Sequence, residues 1–255
     1  MKRWISSAAI ASLLMGDSLA YGASTSTAQQ PKWKDAYKKY IANYLKSEDL
    51  MIGDCVITLV DIDRDGVPEL FGGLSYRTEN VIDIAYTYKN GKVQKLTQKG
   101  PGAGDSGSIG FNLGMTAFVK GHILVYKEKK TGKYVVIGKD SGGGAVSVSG
   151  GDYSLTLNGT VLTTKEINGF YEEQTEGGNW EGIYYSSGKK VSKKQYDASR
   201  SNYYAQLTAL TKQSSTIAGS SNANSFSDPD LRYDMTDSEI NEAIYKLYQS
   251  YSPSK

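Results

Sequence analysis

The sequence predicts an α+β protein in which an antiparallel β-meander carries an N-terminal amphipathic helix and two C-terminal helices. Three observations predict this class. Short segments of alternating apolar and polar residues follow one another and are joined by two-residue turns, which is typical of successive hairpins. The chain has 28 glycines and 20 tyrosines among 255 residues, a balance that favours sheets and turns. Apolar residues at helical spacing begin near residue 33 and recur beyond residue 191.

The first 30 residues have the pattern of a leader and a tether. Lys2 and Arg3 precede a short apolar stretch that ends near Met15, and small residues follow it. Residues 1–20 are therefore predicted to be a secretory signal peptide, since the apolar stretch is too short to span a bilayer. Residues 21–30 are polar and predict a tether. We expect a secreted or cell-surface protein with no membrane span after the signal is removed.

The first helix is predicted by an apolar stripe, and lysines occupy its opposite face. We expect this stripe to cover the neighbouring sheet, because a regular apolar face on a helix normally packs on the core. The stripe consists of Trp33, Ala36, Tyr37, Tyr40, Ile41, Tyr44 and Leu45.

A metal site is predicted at residues 61–70, between two segments that read as strands. Asp61, Asp63 and Asp65 alternate and Gly66 follows, so the backbone can curl and turn the three carboxylates towards one centre. Three anionic oxygens at this spacing repel one another unless a cation lies among them. A hard cation with oxygen ligands suits the group, and Ca²⁺ tolerates irregular geometry better than Mg²⁺. An acidic turn that binds no metal is the alternative.

Compared with an EF-hand loop, the three aspartates stand at positions one, three and five. The carbonyl of Val67 stands at position seven and Glu69 at position nine, where a direct or water-mediated ligand is usual. Gly72 departs from the pattern, since a bidentate glutamate is expected at position twelve. The predicted cofactor is therefore one Ca²⁺ in an EF-hand-like loop between strands. Its predicted ligands are Asp61, Asp63, Asp65, Val67 and Glu69.

The segment Leu-Val-Asp-Ile-Asp-Arg-Asp-Gly-Val-Pro-Glu-Leu at residues 59–70 resembles the calcium loop of many secreted proteins of Gram-positive bacteria. Dockerins and integrin-type propeller repeats carry related DxDxDG loops. In the secreted group the loop follows a helix similar to that at residues 33–37, and a later segment is similar to residues 184–196. The resemblance implies calcium binding and an extracellular place, and it implies no reaction.

Strands are predicted on both sides of the loop, at residues 56–60 and 70–71, and then in successive hairpins. The predicted hairpins pair 81–88 with 92–97, 122–128 with 134–139, and 153–157 with 160–164. Further strands are predicted at 170–174 and 182–185. The glycine-rich stretches 99–110 and 141–151 lack the Gly-Lys-Ser/Thr ending of a phosphate-binding loop and are predicted to be flexible loops or bulged strands.

Two helices are predicted towards the end of the chain by capping-box spacings, Ser192 with Gln195 and Thr236 with Glu239. Residues 212–230 are rich in serine and asparagine and predict a linker. The predicted organisation is a calcium-loop domain at 31–211, the linker, and a C-terminal helix at 231–255. That helix has an apolar stripe that we expect to dock on the domain.

The alternative function is an extracellular carbohydrate- or peptide-binding module, with a glycan or a protein at the cell surface as partner. Its aromatic face would comprise Tyr171, Trp180, Tyr184 and Tyr185. A second alternative is a cell-wall or glycan hydrolase that uses paired carboxylates. Its candidates are Glu166, Glu172, Glu173, Glu176 and Glu181.

We predict no catalytic residue and do not expect an enzyme. No nucleophile motif surrounds His122, the single histidine, or Cys55, the single cysteine. Cys55 excludes an intramolecular disulfide and is predicted to be a small core residue. A net charge of +2 argues against a nucleic acid as partner.

Overall fold

The structure is a computed structural model that describes residues 32–46, 55–74, 82–110, 120–211, 214–218 and 235–251. The predicted signal peptide and the predicted tether lie outside these residues, as do residues 219–230 of the predicted linker. The side chain of Cys55 is also outside the described part, so its predicted place in the core stays a prediction.

Three helices span Lys32–Leu45 (α1), Lys193–Ala205 (α2) and Asp237–Ser250 (α3). Both predicted capping boxes are confirmed. The backbone N–H of Gln195 donates to the side chain of Ser192, and that of Glu239 donates to the side chain of Thr236. Each glutamine or glutamate side chain accepts in turn from the N-cap backbone, so two helix-end groups are satisfied at each start.

Thirteen strands are described. In chain order they are Cys55–Val60 (β1), Glu69–Leu74 (β2), Ile82–Lys89 (β3), Lys92–Lys95 (β4), Thr97–Lys99 (β5), Lys120–Glu128 (β6), Tyr134–Gly143 (β7), Ser147–Asn158 (β8), Val161–Gln174 (β9), Trp180–Ser186 (β10), Lys189–Val191 (β11), Leu207–Thr211 (β12) and Ser214–Ala218 (β13). The mixed α+β class, with mostly antiparallel sheets and three helices, is confirmed.

The strands form two sheets, where the sequence predicted one meander. Sheet 1 has the order β13-β1-β2-β3-β4, and sheet 2 has the order β11-β10-β9-β8-β7-β6-β12. All neighbouring strands in these two orders are antiparallel. Strand β5 stands outside both orders and pairs in parallel with β9. The three predicted hairpins are confirmed as β3–β4, β6–β7 and β8–β9. Their turns need residues with positive φ, as at Asn90 and Gly91 (φ 53° and 76°).

Strand β13 lies inside the segment predicted to be a linker. Ala218 to Ser214 pair with Cys55 to Leu59 of β1 along an antiparallel ladder. The composition of residues 212–230 predicted a linker because serine and asparagine favour turns and loops. Residues 214–218 form a strand because their backbone groups pair with the side of β1 that faces away from β2. Such backbone hydrogen bonds do not depend on the side-chain composition.

The apolar residues form three clusters that separate four layers. The first lies between the two helices α1 and α3 and one face of sheet 1, and the second lies between the two sheets. The third lies between sheet 2, which includes β12, and helix α2. Strand β1 carries apolar residues on both of its faces because both faces are buried. Ile57 and Leu59 face the helices, whereas Val56 and Val60 face sheet 2. Helix α3 docks on the domain as expected.

Among the described residues, no helix combines the length and the apolar composition that crossing a membrane requires.

Candidate metal centre

The predicted site lies in the loop that joins β1 to β2, two neighbouring inner strands of sheet 1. Asp61, Asp63 and Asp65 come together as predicted: each offers one carboxylate oxygen, and these oxygens lie within 4.8 Å of one another. We call these three residues the aspartate cluster. Its members differ in exposure, since Asp61 is buried, Asp63 is half-buried and Asp65 is exposed.

Two residues with positive φ curl the loop and so bring the cluster together. Arg64 has φ 63° and Gly66 has φ 88°. The curled backbone donates two hydrogen bonds to the cluster: Gly66 N–H to Asp61 Oδ2 at 3.1 Å, and Val67 N–H to Asp65 Oδ1 at 2.9 Å. Gly66 is therefore needed for its conformation, which a residue with a Cβ adopts at an energetic cost.

Two oxygens of the cluster have no hydrogen-bond partner among the described residues. Asp61 is only 6% exposed, and its Oδ1 is buried and unpartnered, as is Oδ1 of Asp63. Burial raises the pKa of Asp61, which means that its charged form is poorly solvated. A buried acceptor without a partner costs about 1–3 kcal/mol, and more if it is charged. This donor set fits a hard cation, because ionised carboxylate oxygens are the ligands that such ions prefer.

Glu69, the fifth predicted ligand, lies beside the cluster and is 1% exposed. Its Oε2 accepts from Ile62 N–H at 2.9 Å, and its Oε1 accepts from the hydroxyl of Thr87 at 3.0 Å. Burial is the main cause that raises the pKa of Glu69 to about 8, and Asp63 adds to it. The carboxylate therefore fastens the loop to β3, and each oxygen keeps a further lone pair for a cation.

Lys89 is the residue that sequence reasoning missed. Its Nζ lies 2.6 Å from Asp63 Oδ2 and 3.9 Å from Asp65 Oδ2, and the hydrogen bond to Asp63 raises the pKa of Lys89. Lys89 ends β3, 26 residues from Asp63 in sequence. No spacing rule connects the two residues, and only the β2–β3 pairing brings them together. The single positive charge of Lys89 offsets only a part of the negative charge on the three aspartates.

Helix α1 supports the loop from the side of the first cluster. The hydroxyl of Tyr37 donates to the carbonyl of Pro68 at 2.8 Å, and Tyr37 is fully buried. Tyr251, at the end of α3, is close enough for the charges of Asp61 and Glu69 to raise its pKa, which burial already raises. The loop is thus fastened to α1 by a hydrogen bond, and Tyr251 beyond α3 lies near its carboxylates.

The four aromatic residues of the alternative binding face do not lie on one face. Side chains alternate along a strand, and the register pairs Ile183 with Tyr171 and Tyr184 with Phe170. Tyr171 and Tyr185 therefore share one face of sheet 2, and Trp180 and Tyr184 share the other. Tyr184 is buried, and its ring packs against Tyr196 of α2. The prediction that these four residues share one face is therefore wrong, because alternation along the strands places two of them on each side of sheet 2.

The glutamates named for a hydrolase are divided in the same way. Glu172 and Glu173 are adjacent on β9 and point to opposite faces of sheet 2. Glu172 accepts a hydrogen bond from the hydroxyl of Tyr184, and Glu173 accepts one from the hydroxyl of Tyr171 at 2.9 Å. These two carboxylates are engaged with tyrosines and do not form a facing pair.

Comparisons of the chain with family models, with curated proteins and with solved structures found no match.

Proposed function

We propose that this protein binds one Ca²⁺ at the aspartate cluster and that the ion has a structural role in an extracellular or cell-surface protein. The observation that carries the proposal is the pair of buried, unpartnered oxygens, Oδ1 of Asp61 and Oδ1 of Asp63, in a group of three convergent carboxylates. A divalent cation would satisfy these oxygens and offset the mutual repulsion of the aspartates.

The ligand set that we propose is Asp61, Asp63 and Asp65, the carbonyl of Val67, and Glu69. Glu69 contributes directly or through water, and in either case the ion would favour its ionised form. Ca²⁺ is preferred to Mg²⁺ because the loop supplies many oxygens in an irregular arrangement, whereas Mg²⁺ demands a near-ideal octahedron. The ion would fix the connection between β1 and β2, which are neighbouring inner strands of sheet 1.

An extracellular place agrees with this role. Outside the cell Ca²⁺ is abundant enough to occupy sites of only moderate affinity, with Kd values of about 0.1–1 mM. The leader-like pattern of residues 1–20 supports the same place.

Isothermal titration calorimetry on three variants tests the proposal. Asp63→Ala removes both the unpartnered oxygen and the acceptor of Lys89, and we expect it to abolish Ca²⁺ binding. Lys89→Gln removes a competing positive charge, and we expect it to strengthen Ca²⁺ binding about fivefold, since neighbouring charges interact by about 1 kcal/mol even in water.

Asp105→Ala is the matched control, because Asp105 is an exposed aspartate on a separate loop. It should bind Ca²⁺ as the unaltered protein does. If the unaltered protein gives no heat with CaCl₂, or if Asp63→Ala binds with unchanged affinity, then the cluster is an acidic turn whose cation is Lys89.

A further inference from the structure

A row of polar side chains crosses sheet 2 on the face that carries α2. The register pairs His122 with Lys139, Lys139 with Asp152, and Asp152 with Asn168, and the row continues to Ser186 on β10. Residues paired in register point to the same face, and adjacent strands are about 4.8 Å apart. We call these five residues the polar row. It lies on a different sheet from the strands that the loop of the aspartate cluster joins.

The half of the polar row under α2 has partners supplied by that helix. Asp152 is 2% exposed, and Arg200 donates to it twice, from Nε to Oδ2 at 2.6 Å and from Nη2 to Oδ1 at 3.3 Å. The hydroxyls of Ser186 and Ser199 lie 2.6 Å apart. The bidentate pair occupies both oxygens of Asp152, so this carboxylate is committed to Arg200.

The other half of the polar row consists of Lys139 and His122, and no carboxylate forms an ion pair with either of them among the described residues. No carboxylate among the described residues lies within ion-pair distance of Lys139. The charged groups that act on the pKa of Lys139 are Arg200 and the committed Asp152, and these two act on His122 together with Lys139. The Nζ of Lys139 lies 4.2 Å from the ring centre of Tyr204. Tyr204 also contacts Arg200, whose Cζ lies 5.6 Å from the ring centre.

These contacts leave an excess of positive charge in a half-buried place. Lys139 and Arg200 carry two positive charges against one on Asp152, and His122 adds a ring N–H donor beside them. The environment opposes that charge, because burial and the neighbouring cations lower the pKa of both Lys139 and His122. An anion would relieve this repulsion, and both residues are partly exposed and hence reachable.

Fully buried Asn168 is a second sign that the polar row is more than a chance surface feature. It is 0% exposed, and neither its side-chain oxygen nor its side-chain nitrogen has a partner among the described residues. An apolar side chain would fill this position at lower cost, since a buried amide without partners costs about 1–3 kcal/mol for each group. The polar row therefore places polar groups on five neighbouring strands beside the apolar third cluster, and its buried members stand where a plain core would carry apolar side chains.

We propose that Lys139, His122 and Arg200 form a binding site for an oxyanion, namely a phosphate, sulfate or carboxylate group of a ligand that lies beside α2. Lys139 and the free edge of the Arg200 guanidinium supply charge and donors, and His122 supplies a further donor. Asp152 holds Arg200 in place and is a positioning residue. The site is independent of calcium binding at the aspartate cluster.

Nuclear magnetic resonance of the imidazole C–H groups tests this site directly, because His122 is the single histidine and gives one set of signals. The full chain is titrated at constant pH with inorganic phosphate, sulfate or acetate, and with chloride at matched ionic strength. We expect a saturable shift of the His122 signals with at least one oxyanion and none with chloride. Saturation by phosphate or sulfate identifies a tetrahedral anion, and saturation by acetate alone identifies a carboxylate.

Three lysine variants complete the experiment. Lys139→Gln should weaken the binding of the oxyanion at least tenfold, whereas Lys139→Arg should keep it within about threefold. Lys165→Gln is the matched control, since Lys165 is an exposed lysine on β9 of the same sheet and is not one of the residues of the polar row. Circular dichroism verifies that each variant is folded. Shifts that follow ionic strength whichever anion is added, or equal affinity in Lys139→Gln, would overturn the proposal.

Discussion

The environment of His122 makes the stability of the folded protein depend on whether this side chain is charged. It is half-buried on β6, Lys139 and Arg200 lie near it, and Asp152 only partly offsets them. Burial is the main cause that lowers its pKa below the ordinary value of about 6.5. The folded protein thus prefers the neutral imidazole, while the unfolded chain accepts a proton freely as the pH falls.

The sign of the effect follows from this difference. Stability that depends on neutral His122 is fully present above the pKa of the unfolded chain and is lost as the pH falls through about 6.5 towards the folded pKa. His122→Gln cannot titrate, so we expect the unaltered protein to lose more stability than this variant between pH 7.5 and pH 5. Urea unfolding at both pH values, in chloride buffers without oxyanions, measures the difference. Parallel losses in the two proteins would contradict this account.

Lys89 and Glu69 show what single residues add to the candidate site. The aspartates and Gly66 could be predicted from sequence, because their spacing is local and the curl needs a residue with positive φ. Lys89 and Thr87 could not, because they reach the loop from β3 through tertiary pairing. The hydrogen bonds that Glu69 accepts from Ile62 and Thr87 were not predicted, and its role as a calcium ligand stays a prediction.

At the scale of elements, the start of α3 lies next to the apolar core. Its residues Ile240, Ile244 and Leu247 are buried against α1 and sheet 1. The capping box at Thr236 satisfies backbone donors at the point where this apolar stripe begins. Because the stripe is part of the first cluster, fraying at the start of α3 exposes apolar surface and lowers the stability of the whole domain.

We expect Thr236→Ala to lower the free energy of unfolding by about 1 kcal/mol, the usual cost of losing an N-cap side chain. Ser238→Ala is the matched control, because Ser238 is exposed in the first turn and is not the N-cap residue. It should change stability by less than about 0.5 kcal/mol. Urea denaturation of both variants decides the matter, and equal losses would mean that the cap has no specific role.

Elements joined by short turns were the most predictable. The hairpins β3–β4, β6–β7 and β8–β9 follow from alternation and from turn residues that accept positive φ. Strand β13 and the parallel pair β5–β9 were not predictable, because each joins residues far apart in sequence through backbone groups alone. The side chains of the short strands β13 and β5 do not indicate which strand each of them pairs with.

At the scale of the whole molecule, the candidate metal centre lies where layers meet. The loop is held by Tyr37 of α1 from one side and by Thr87 and Lys89 of β3 from another. An ion at the aspartate cluster would therefore stabilise the packing of α1 and sheet 1, beyond the loop itself. Its contribution to folding depends on the free ion concentration, because it binds the folded chain.

Calcium should raise the melting temperature of the unaltered protein. At about 1 mM Ca²⁺ and a Kd of about 0.1 mM, binding adds about 1.4 kcal/mol, which corresponds to about 3–6 °C for a domain of this size. Differential scanning calorimetry in CaCl₂ and in chelator measures the shift. Asp63→Ala should melt at one temperature in both solutions, and a shift of equal size in that variant would place the calcium effect elsewhere.

The amino-acid sequence by itself determined the α+β class, the hairpins, the helix starts and the convergence of three aspartates. These features are local: each depends on residues within about ten positions, through alternation, capping or a turn that needs positive φ. Only the tertiary structure decided that the strands divide into two sheets, that residues 214–218 extend sheet 1, and that Lys89 faces the aspartate cluster. It also brought His122, Lys139 and Arg200 together from β6, β7 and α2. The reason is that strand pairing and layer packing join residues by their positions in the sheets, which sequence spacing does not record.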